Sequence, residues 1–312
     1  RHKLSQQIDL SSVDAFVCNT IACWWGVHLA AAAQKPSLLY VHESASIKRF
    51  FSTSLPERRQ GVARAAFRLA TRVCFLCKST RSYYEELNDY NNFRYVSSWI
   101  DLDRIGKLKA SITPPAAREH LGFSPDERII ANIGTVCERK GQHMFLRTVD
   151  YFMKRFAGAG RYRFLIVGGR PGEFQDSLNA DIDLMGLRDI VTIEESFPRV
   201  LLEAMAFETP IVSTNVHGIP EMVTDKAEAW LVSQGDPVGF AKTMKTCLDK
   251  HLHGTSTTRM AYSKVMRGYD LNRVLPDHAD LAREAVLDFD PKAKHAAPHR
   301  LSGRGDRFES SW

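Results

Sequence analysis

The amino-acid sequence predicts an α/β protein with parallel sheets. Short apolar runs alternate with longer segments of helical periodicity, which is typical of successive βαβ units. The chain has 312 residues, enough for two domains of ordinary size. A new series of these units begins at residues 128–134. We therefore expect two Rossmann-like domains, each with its own sheet, and a cleft between them.

The first half contains four predicted strands with helices between them. The strands are expected at residues 14–20, 37–43, 72–80 and from 92 onward, and the helices at 24–33, 62–72 and 81–90. A Pro-rich passage at 111–127, with a short helix in its middle, leads into the second half.

Composition and charge exclude several classes of protein. Apolar residues make up 44% and charged residues 25%, as in soluble globular proteins. No apolar run is long enough to span a membrane, and the first residues lack the apolar core of a signal peptide. The sequence therefore predicts a cytoplasmic protein, with peripheral contact at the inner face of the membrane as an open alternative.

The net charge of +6 and the pI near 9.0 favour an anionic partner. A sugar nucleotide or an acidic membrane would fit. Nucleic acid is not expected, because zinc-finger spacing, an aromatic RNP-like motif and a basic helix are absent from the sequence. Much of the excess charge lies in residues 291–312, predicted to be a disordered basic tail, with loose contact to acidic lipid as the alternative.

The six cysteines are interpreted as buried thiols in a reducing compartment, because most lie within or beside apolar runs. Cys74 and Cys77 form a C-x-x-C pair, but no second pair follows at a zinc-like spacing. We therefore expect neither a metal site nor a redox site there.

The segment from Glu194 to Glu221 is the most informative part of the chain. Ser196 can cap a helix whose first turn accepts Pro198, so that Glu195 precedes the helix and Glu203 lies inside it. The unpaired N–H groups at such a helix start form an anion site. A short strand is predicted next, at residues 211–214, and then a loop.

This E-x7-E pattern, followed by LLEAMA, a strand and a G-I-P-E loop, resembles the retaining glycosyltransferases of the GT-B fold, which include sucrose synthase and many bacterial lipopolysaccharide and lipid glycosyltransferases. Five further segments agree with that family in order. They are VCNT (17–20), YVHES (40–44), IGTVCERKGQ (133–142), FLIVGG (164–169) and WLVSQGDP (230–237).

The resemblance implies a GT-B fold of two Rossmann-like domains and transfer of a hexose from a nucleoside-diphosphate sugar to a hydroxyl acceptor, either a glycan or a lipid-linked acceptor, in polysaccharide biosynthesis. It implies neither a cofactor nor a metal. Residues 1–101 would be a partial N-terminal, acceptor-side domain, residues 102–290 the C-terminal donor-nucleotide domain, and residues 291–312 the tail.

The resemblance also assigns roles to residues of the motif. Glu203 would accept hydrogen bonds from the two ribose hydroxyls, since both carboxylate oxygens are acceptors. Glu195 would lie near the transferred sugar and act in catalysis. Ser196, Phe197 and Arg199 would line the donor site at the helix start, where Pro198 replaces a common glycine and cannot donate an N–H.

Lys140 resembles the family lysine that stabilises the departing diphosphate. Gly134 ends the preceding strand, and the family's usual arginine after it is here Thr135, so Arg139 is expected to substitute. We predict that all four residues contribute to catalysis or donor binding.

His42 resembles the family histidine that faces the donor sugar, although a structural role is the alternative. Glu43 is expected to be a capping or supporting group. His217 and Gly218 fit a loop beside the ribose, with Gly218 serving the backbone turn.

The sequence departs from the family in two places. It begins near the middle of the N-terminal domain, which is therefore expected to be incomplete. Between residues 186 and 194 it also runs directly into the motif, where relatives have a further helix and strand. Either one βα unit is lost or two segments are joined, because a parallel crossover needs a dozen or more residues.

Three rival functions follow. A non-catalytic GT-B remnant could bind a sugar nucleotide or serve as an assembly module. A GT-B-like sugar-nucleotide epimerase is disfavoured by the E-x7-E pattern. A nicotinamide enzyme is not expected, because the Gly168-Gly169 segment does not fit G-x-G-x-x-G.

Overall fold

The structure, a computed structural model, describes residues 9–52, 54–158, 160–194, 200–250 and 255–291. These residues form two compact units. The first comprises the described residues up to Val96 together with those from Asp277 onward, and the second comprises Ser97–Pro276.

The first unit is built on a parallel sheet of four strands in the order β1-β2-β3-β4. Helices connect successive strands and cover the sheet, as the alternating pattern predicts. The elements are β1 (Phe16–Asn19), α1 (Trp24–Ala32), β2 (Ser37–Val41), α2 (Ile47–Phe50), α3 (Glu57–Leu69), β3 (Arg72–Phe75), α4 (Lys78–Ser82) and β4 (Phe93–Tyr95).

The predicted helix at 81–90 is not continuous. Helix α4 ends at Ser82, and a single 3-10 turn follows at Glu85–Leu87. The buried side chain of Tyr84 lies between them, and its hydroxyl donates to the carbonyl oxygens of Glu43 and Ala45 at 3.1 and 2.6 Å. Long-range packing of this tyrosine therefore overrides the local helical pattern.

The second unit contains two parallel sheets, and not the single sheet expected for each half. Three strands pair in the order β5-β6-β7, and two strands pair as β8-β9. The strands are β5 (Arg128–Ile133), β6 (Tyr162–Val167), β7 (Val191–Glu194), β8 (Val212–Thr214) and β9 (Trp230–Val232).

The break between the two sheets falls where the family resemblance predicts that a helix and a strand are missing. The chain from β7 to β8 is too short to hold a further parallel strand with its crossover, so none of the described strands joins the two sheets. Separate apolar cores accompany the two sheets. One includes Phe152, Phe164 and Ile166, and the other includes Leu202 and Met205.

Nine helices of the described chain lie in or enter the second unit. They are α5 (Leu102–Ser111), α6 (Pro114–His120), α7 (Gln142–Phe156), α8 (Glu173–Leu184), α9 (Val200–Ala206), α10 (Ile219–Met222), α11 (Pro237–Asp249), α12 (Ser256–Gly268) and α13 (Leu271–Leu287). In the described parts of the chain, none of the helices is long and apolar enough to cross a membrane.

Helix α13 corrects the expected domain boundary. The sequence-based division placed residues up to 290 in the second domain, but those from Asp277 onward belong to the first unit. The physical reason is packing: Leu281 and Ala285 are buried in a core that includes Leu38, Cys74 and Val96. On the same helix, Glu284 accepts a hydrogen bond from Nε of Arg72 at 3.2 Å.

All six cysteines are free thiols. Cys18, Cys74 and Cys247 are buried and the other three are partly buried, so the expectation of buried thiols is confirmed for half of them. Burial raises the pKa of Cys74 to about 12, which keeps this thiol protonated and unreactive.

Candidate functional site

The carboxyl ends of β5, β6 and β7 meet at one edge of their sheet. The N–H of Gly134 donates to the carbonyl of Val167 at 2.8 Å. The N–H groups of Gly168 and Gly169 both donate to the carbonyl of Glu194, at 2.5 and 2.6 Å. Ligands bind at such strand ends in parallel sheets, so this edge is the candidate site.

Gly168 has to be a glycine for a steric reason. Its φ of +129° is rarely adopted by other residues, and a Cβ at this position would overlap the carbonyl group of Gly134. Two strand ends can therefore approach each other only because this side chain is absent.

Lys140 lies on this edge. It belongs to a 3-10 turn, Glu138–Lys140, and its methylene groups pack over Gly134, with Cδ 3.5 Å from the position that a Cβ would take there. The residue as a whole remains exposed. The protein atoms around its amine nevertheless displace hydration and lower the pKa of Lys140, the adjacent charge of Arg139 lowers it further, and Cys137 opposes the change.

Sequence reasoning missed Gln142, the first residue of α7. Its side chain is fully buried, and its amide Nε2 donates to the carbonyls of Thr135 at 3.2 Å and Gly134 at 3.4 Å. The signal was present in the sequence: a lone amide shares the apolar face of a helix with Leu146 and Val149, four and seven residues later.

Glu203 lies on α9 and is half-buried. The neighbouring side chains of Leu202, Met205 and Ala206 face the apolar core, which fixes the helix beneath it. The other predicted residues of the motif, Glu195, Ser196, Phe197 and Arg199, lie outside the described residues, as does Pro198. The geometry of the E-x7-E pair therefore stays a prediction.

The loop after β8 corrects one expectation. Gly218 has φ −77° in the right-handed helical region, so its conformational freedom is not used. The left-handed residue is His217, at φ +52°. A hydrogen bond of 3.0 Å from the N–H of Asn215 to the carbonyl of Val232 holds the start of this loop against β9.

In the first unit, His42 follows β2 at the carboxyl edge of the four-stranded sheet. Its Nε2 lies 2.7 Å from Oδ1 of Asn19, at the end of β1. Its ring is also parallel to the ring of Tyr40, with an interplanar angle of 7° and a centroid distance of 6.2 Å. The imidazole is thus oriented by two side chains of neighbouring strands.

The capping role expected for Glu43 is confirmed. Its carboxylate accepts hydrogen bonds from the hydroxyl of Thr20, from the N–H of Ile21 at 3.2 Å and from the N–H of His42 at 3.0 Å. Thr20 has φ +134°, which is unusual for a β-branched residue. Glu43 therefore ties the ends of β1 and β2 together and supports a strained turn.

Across the ranges that the structure describes, no group of three or more His, Cys, Asp or Glu side chains is arranged to hold a metal ion. The expectation that donor binding needs neither a metal nor a cofactor stays a prediction.

Solved structures define the fold class. HepE from Anabaena, in complex with UDP and glucose, aligns with a TM-score of 0.76 over 90% of this chain and 80% of its own, at 16% identity. Sucrose-phosphate synthase from Thermosynechococcus elongatus aligns with a TM-score of 0.70 over 87% of this chain and 73% of its own, at 18% identity. The chain has the α/β fold of the GT-B glycosyltransferases.

Sequence comparison identifies similar proteins for part of the chain. Residues 127–250 match the family model described as glycosyl transferases group 1. The match begins just before β5 and includes the loop of Lys140, helix α9 and the β8-β9 sheet.

Curated relatives also match part of the chain. A D-inositol 3-phosphate glycosyltransferase of Corynebacterium kroppenstedtii is 30% identical in an alignment of length 161, which covers 43% of this chain and 35% of the relative. Its counterpart in Saccharomonospora viridis is 26% identical in an alignment of length 224, which covers 63% of this chain and 51% of the relative. The chain spans about a third to a half of the length of these relatives.

Proposed function

We propose that this protein is a retaining glycosyltransferase that transfers a hexose from a nucleoside-diphosphate sugar to a hydroxyl group of a glycan or a lipid-linked acceptor. The observation that carries the proposal is the position of Lys140, folded over Gly134 at the edge where three strand ends meet. Structures of the similar protein HepE contain UDP or UDP-glucose, which supports this class of donor.

Charge explains how this edge would promote transfer. As the bond between the anomeric carbon and the diphosphate oxygen breaks, negative charge develops on the diphosphate, and the Lys140 ammonium and Arg139 guanidinium stabilise it. The acceptor hydroxyl oxygen bonds to the anomeric carbon from the same face, and its proton passes to the departing diphosphate oxygen.

The remaining predicted residues bind the donor while this transfer takes place. Glu203 accepts hydrogen bonds from the ribose hydroxyls, Glu195 lies beside the transferred sugar, and His42 contacts that sugar. The donor pocket is completed by Thr135, Gly134, Ser196, Phe197, Arg199, His217 and Gly218. No metal takes part in this scheme.

Donor binding and turnover in Lys140→Ala and Glu203→Ala test the proposal. Calorimetric titration with a panel of nucleoside diphosphates, and then with the matching sugar nucleotides, identifies the donor. We expect Lys140→Ala to lower kcat by roughly 100-fold, with a smaller change in affinity, because the charge acts mainly on the departing group. Glu203→Ala should weaken nucleotide binding by about tenfold.

Lys154→Ala is the matched control, because Lys154 is an exposed lysine of α7 paired with Asp150 at 2.8 Å. It removes the same charge from the same unit away from the strand edge. Wild-type kinetics in both Lys140→Ala and Glu203→Ala would contradict the assignment.

The alternative function is a non-catalytic module that binds a sugar nucleotide. The interruption between β7 and β8, directly beside the motif, favours it. Nucleotide binding without sugar transfer or donor hydrolysis would support this alternative. Peripheral contact with an acidic membrane remains part of the proposal for the acceptor side.

A further inference from the structure

The loop at residues 134–140 carries two cations of the candidate site, Arg139 and Lys140, and the buried side chain of Gln142 bonds to its beginning and its middle. While Nε2 of Gln142 donates to the carbonyls of Gly134 and Thr135, Oε1 of the same amide accepts from the N–H of Cys137 at 3.4 Å. A single planar group thus connects the beginning of the loop to its middle.

Backbone hydrogen bonds also hold this loop. The N–H of Val136 donates to the carbonyl of Gly168 at 2.8 Å, and the N–H of Lys140 donates to the carbonyl of Cys137 at 2.9 Å. Cys137 therefore links the Gln142 amide to Lys140: its N–H is held by the amide and its carbonyl holds the backbone of the lysine.

Because Gln142 is buried, the hydrogen bonds of the loop depend on the polar groups of this side chain. Gln142 has no exposed surface, so the loop carbonyls that it satisfies cannot turn to water without moving the loop. An apolar residue of the same length would fill the space but leave two carbonyls and one N–H without this partner.

We propose that Gln142 is a positioning residue, which fixes the loop at 134–140 and thereby places the side chain of Lys140 over Gly134. The part of this inference that concerns the donor rests on the proposed function. The part that concerns the order of the loop does not, and it can be measured in the unliganded protein.

Gln142→Glu is the sharpest test, because it changes one NH2 group into oxygen at almost constant shape. An ionised carboxylate would face two carbonyl oxygens and would be disfavoured, so its pKa should rise. The protonated acid can again donate to a carbonyl, as the amide does. The variant should therefore resemble wild type at pH 5.5 and lose loop order at pH 8. Gln142→Met should lose it at both pH values.

Two measurements are made on the full chain at each pH, always as a ratio to wild type. Hydrogen exchange of the backbone amides at residues 134–141 reports loop order, and calorimetric titration with UDP reports affinity. At pH 8 we expect exchange of the Cys137 amide to be about tenfold faster in Gln142→Glu, and UDP binding about tenfold weaker. Both should recover at pH 5.5.

Gln60→Glu is the matched control. The Gln60 amide also donates to a backbone carbonyl, that of Leu55 at 3.1 Å, but it lies in the first unit. This variant should leave exchange at 134–141 and UDP affinity unchanged at both pH values. Thermal unfolding of every variant shows whether the fold is retained, and Gln142→Met replaces Gln142→Glu if the latter does not fold.

Exchange at 134–141 that is unchanged in Gln142→Glu and Gln142→Met would overturn the inference. Faster exchange with unchanged UDP affinity would overturn the part that concerns the donor. If wild type binds neither UDP nor another nucleoside diphosphate, the proposed function fails, and the donor part of this inference fails with it. The exchange measurement then still decides whether Gln142 orders the loop.

Discussion

At the scale of single residues, Lys140 shows how position changes the chemistry of a side chain. Loss of hydration and the charge of Arg139 both disfavour the ammonium form, so the pKa of Lys140 lies below its ordinary value of 10.5. A cation that has lost part of its hydration interacts strongly with a diphosphate.

This lowered pKa predicts the alkaline limit of activity. The charged form is needed for catalysis and is lost as pH rises through the lowered pKa, so kcat/KM should decline at a pH below 10.5. In Lys140→Arg the decline should move to higher pH, because a guanidinium stays protonated. A pH profile of kcat/KM for both proteins checks this, and an identical alkaline limb in the two would argue against Lys140 as the titrating group.

His42 allows a second prediction at this scale. Because Oδ1 of Asn19 can only accept, the imidazole of His42 should carry its hydrogen on Nε2. In Asn19→Ala we expect both neutral tautomers of His42 to be populated, as seen in ¹⁵N NMR of the ring nitrogens. His28, whose Nε2 lies 2.8 Å from the carbonyl of Val62, is the internal control and should not change. Retention of a single His42 tautomer in the variant would show that Asn19 does not select it.

At the scale of elements, regular patterns were predictable and long-range contacts were not. The apolar runs that predicted β1, β2, β5 and β6 reflect burial in a parallel sheet, a local property of sequence. The break at Tyr84 depends on carbonyl groups some forty residues earlier in the chain, which no local pattern contains.

The residues of the candidate site likewise fall into those that the sequence predicted and those that it did not. Lys140 and Gly134 could be assigned because a family motif names them in order. Gln142 was missed because its partners are backbone atoms of its own loop, whose conformation the sequence does not display. The left-handed turn at His217 was assigned to its neighbour Gly218 because glycine is the usual residue there.

The role of Tyr84 as a helix breaker predicts a measurable loss of stability. Tyr84→Phe removes the donor from two carbonyl groups in a buried position, and we expect the free energy of unfolding to fall by about 1–2 kcal/mol. Urea denaturation measures this change. Tyr95→Phe, at an exposed position, is the control and should change the free energy by less than about 0.5 kcal/mol. Equal effects of the two substitutions would refute the role of the Tyr84 hydroxyl.

At the scale of the whole molecule, helix α13 is the feature that sequence analysis placed wrongly. Its final turns complete the core of the first unit, although they lie at the far end of the chain from β1–β4. The ion pairs of Arg72 with Glu284 and Asp288 join the helix to the first residue of β3.

This placement predicts that the first unit depends on the end of the described chain. Leu281→Ala should lower the free energy of unfolding by roughly 2–4 kcal/mol, because it opens a cavity in the core around Leu38. Leu287→Ala, on the same helix but 82% exposed, is the control and should have little effect. Denaturant unfolding followed by circular dichroism compares them, and a loss below about 1 kcal/mol for Leu281→Ala would exclude a core position.

The close approach of Gly168 to Gly134 limits which substitutions the candidate site can accept. The backbone of Gly134 occupies the volume that a side chain at position 168 would need. Substitution of Gly168 therefore cannot add a side chain to the candidate site. New selectivity at this edge has to come from side chains that lie over it, as that of Lys140 does.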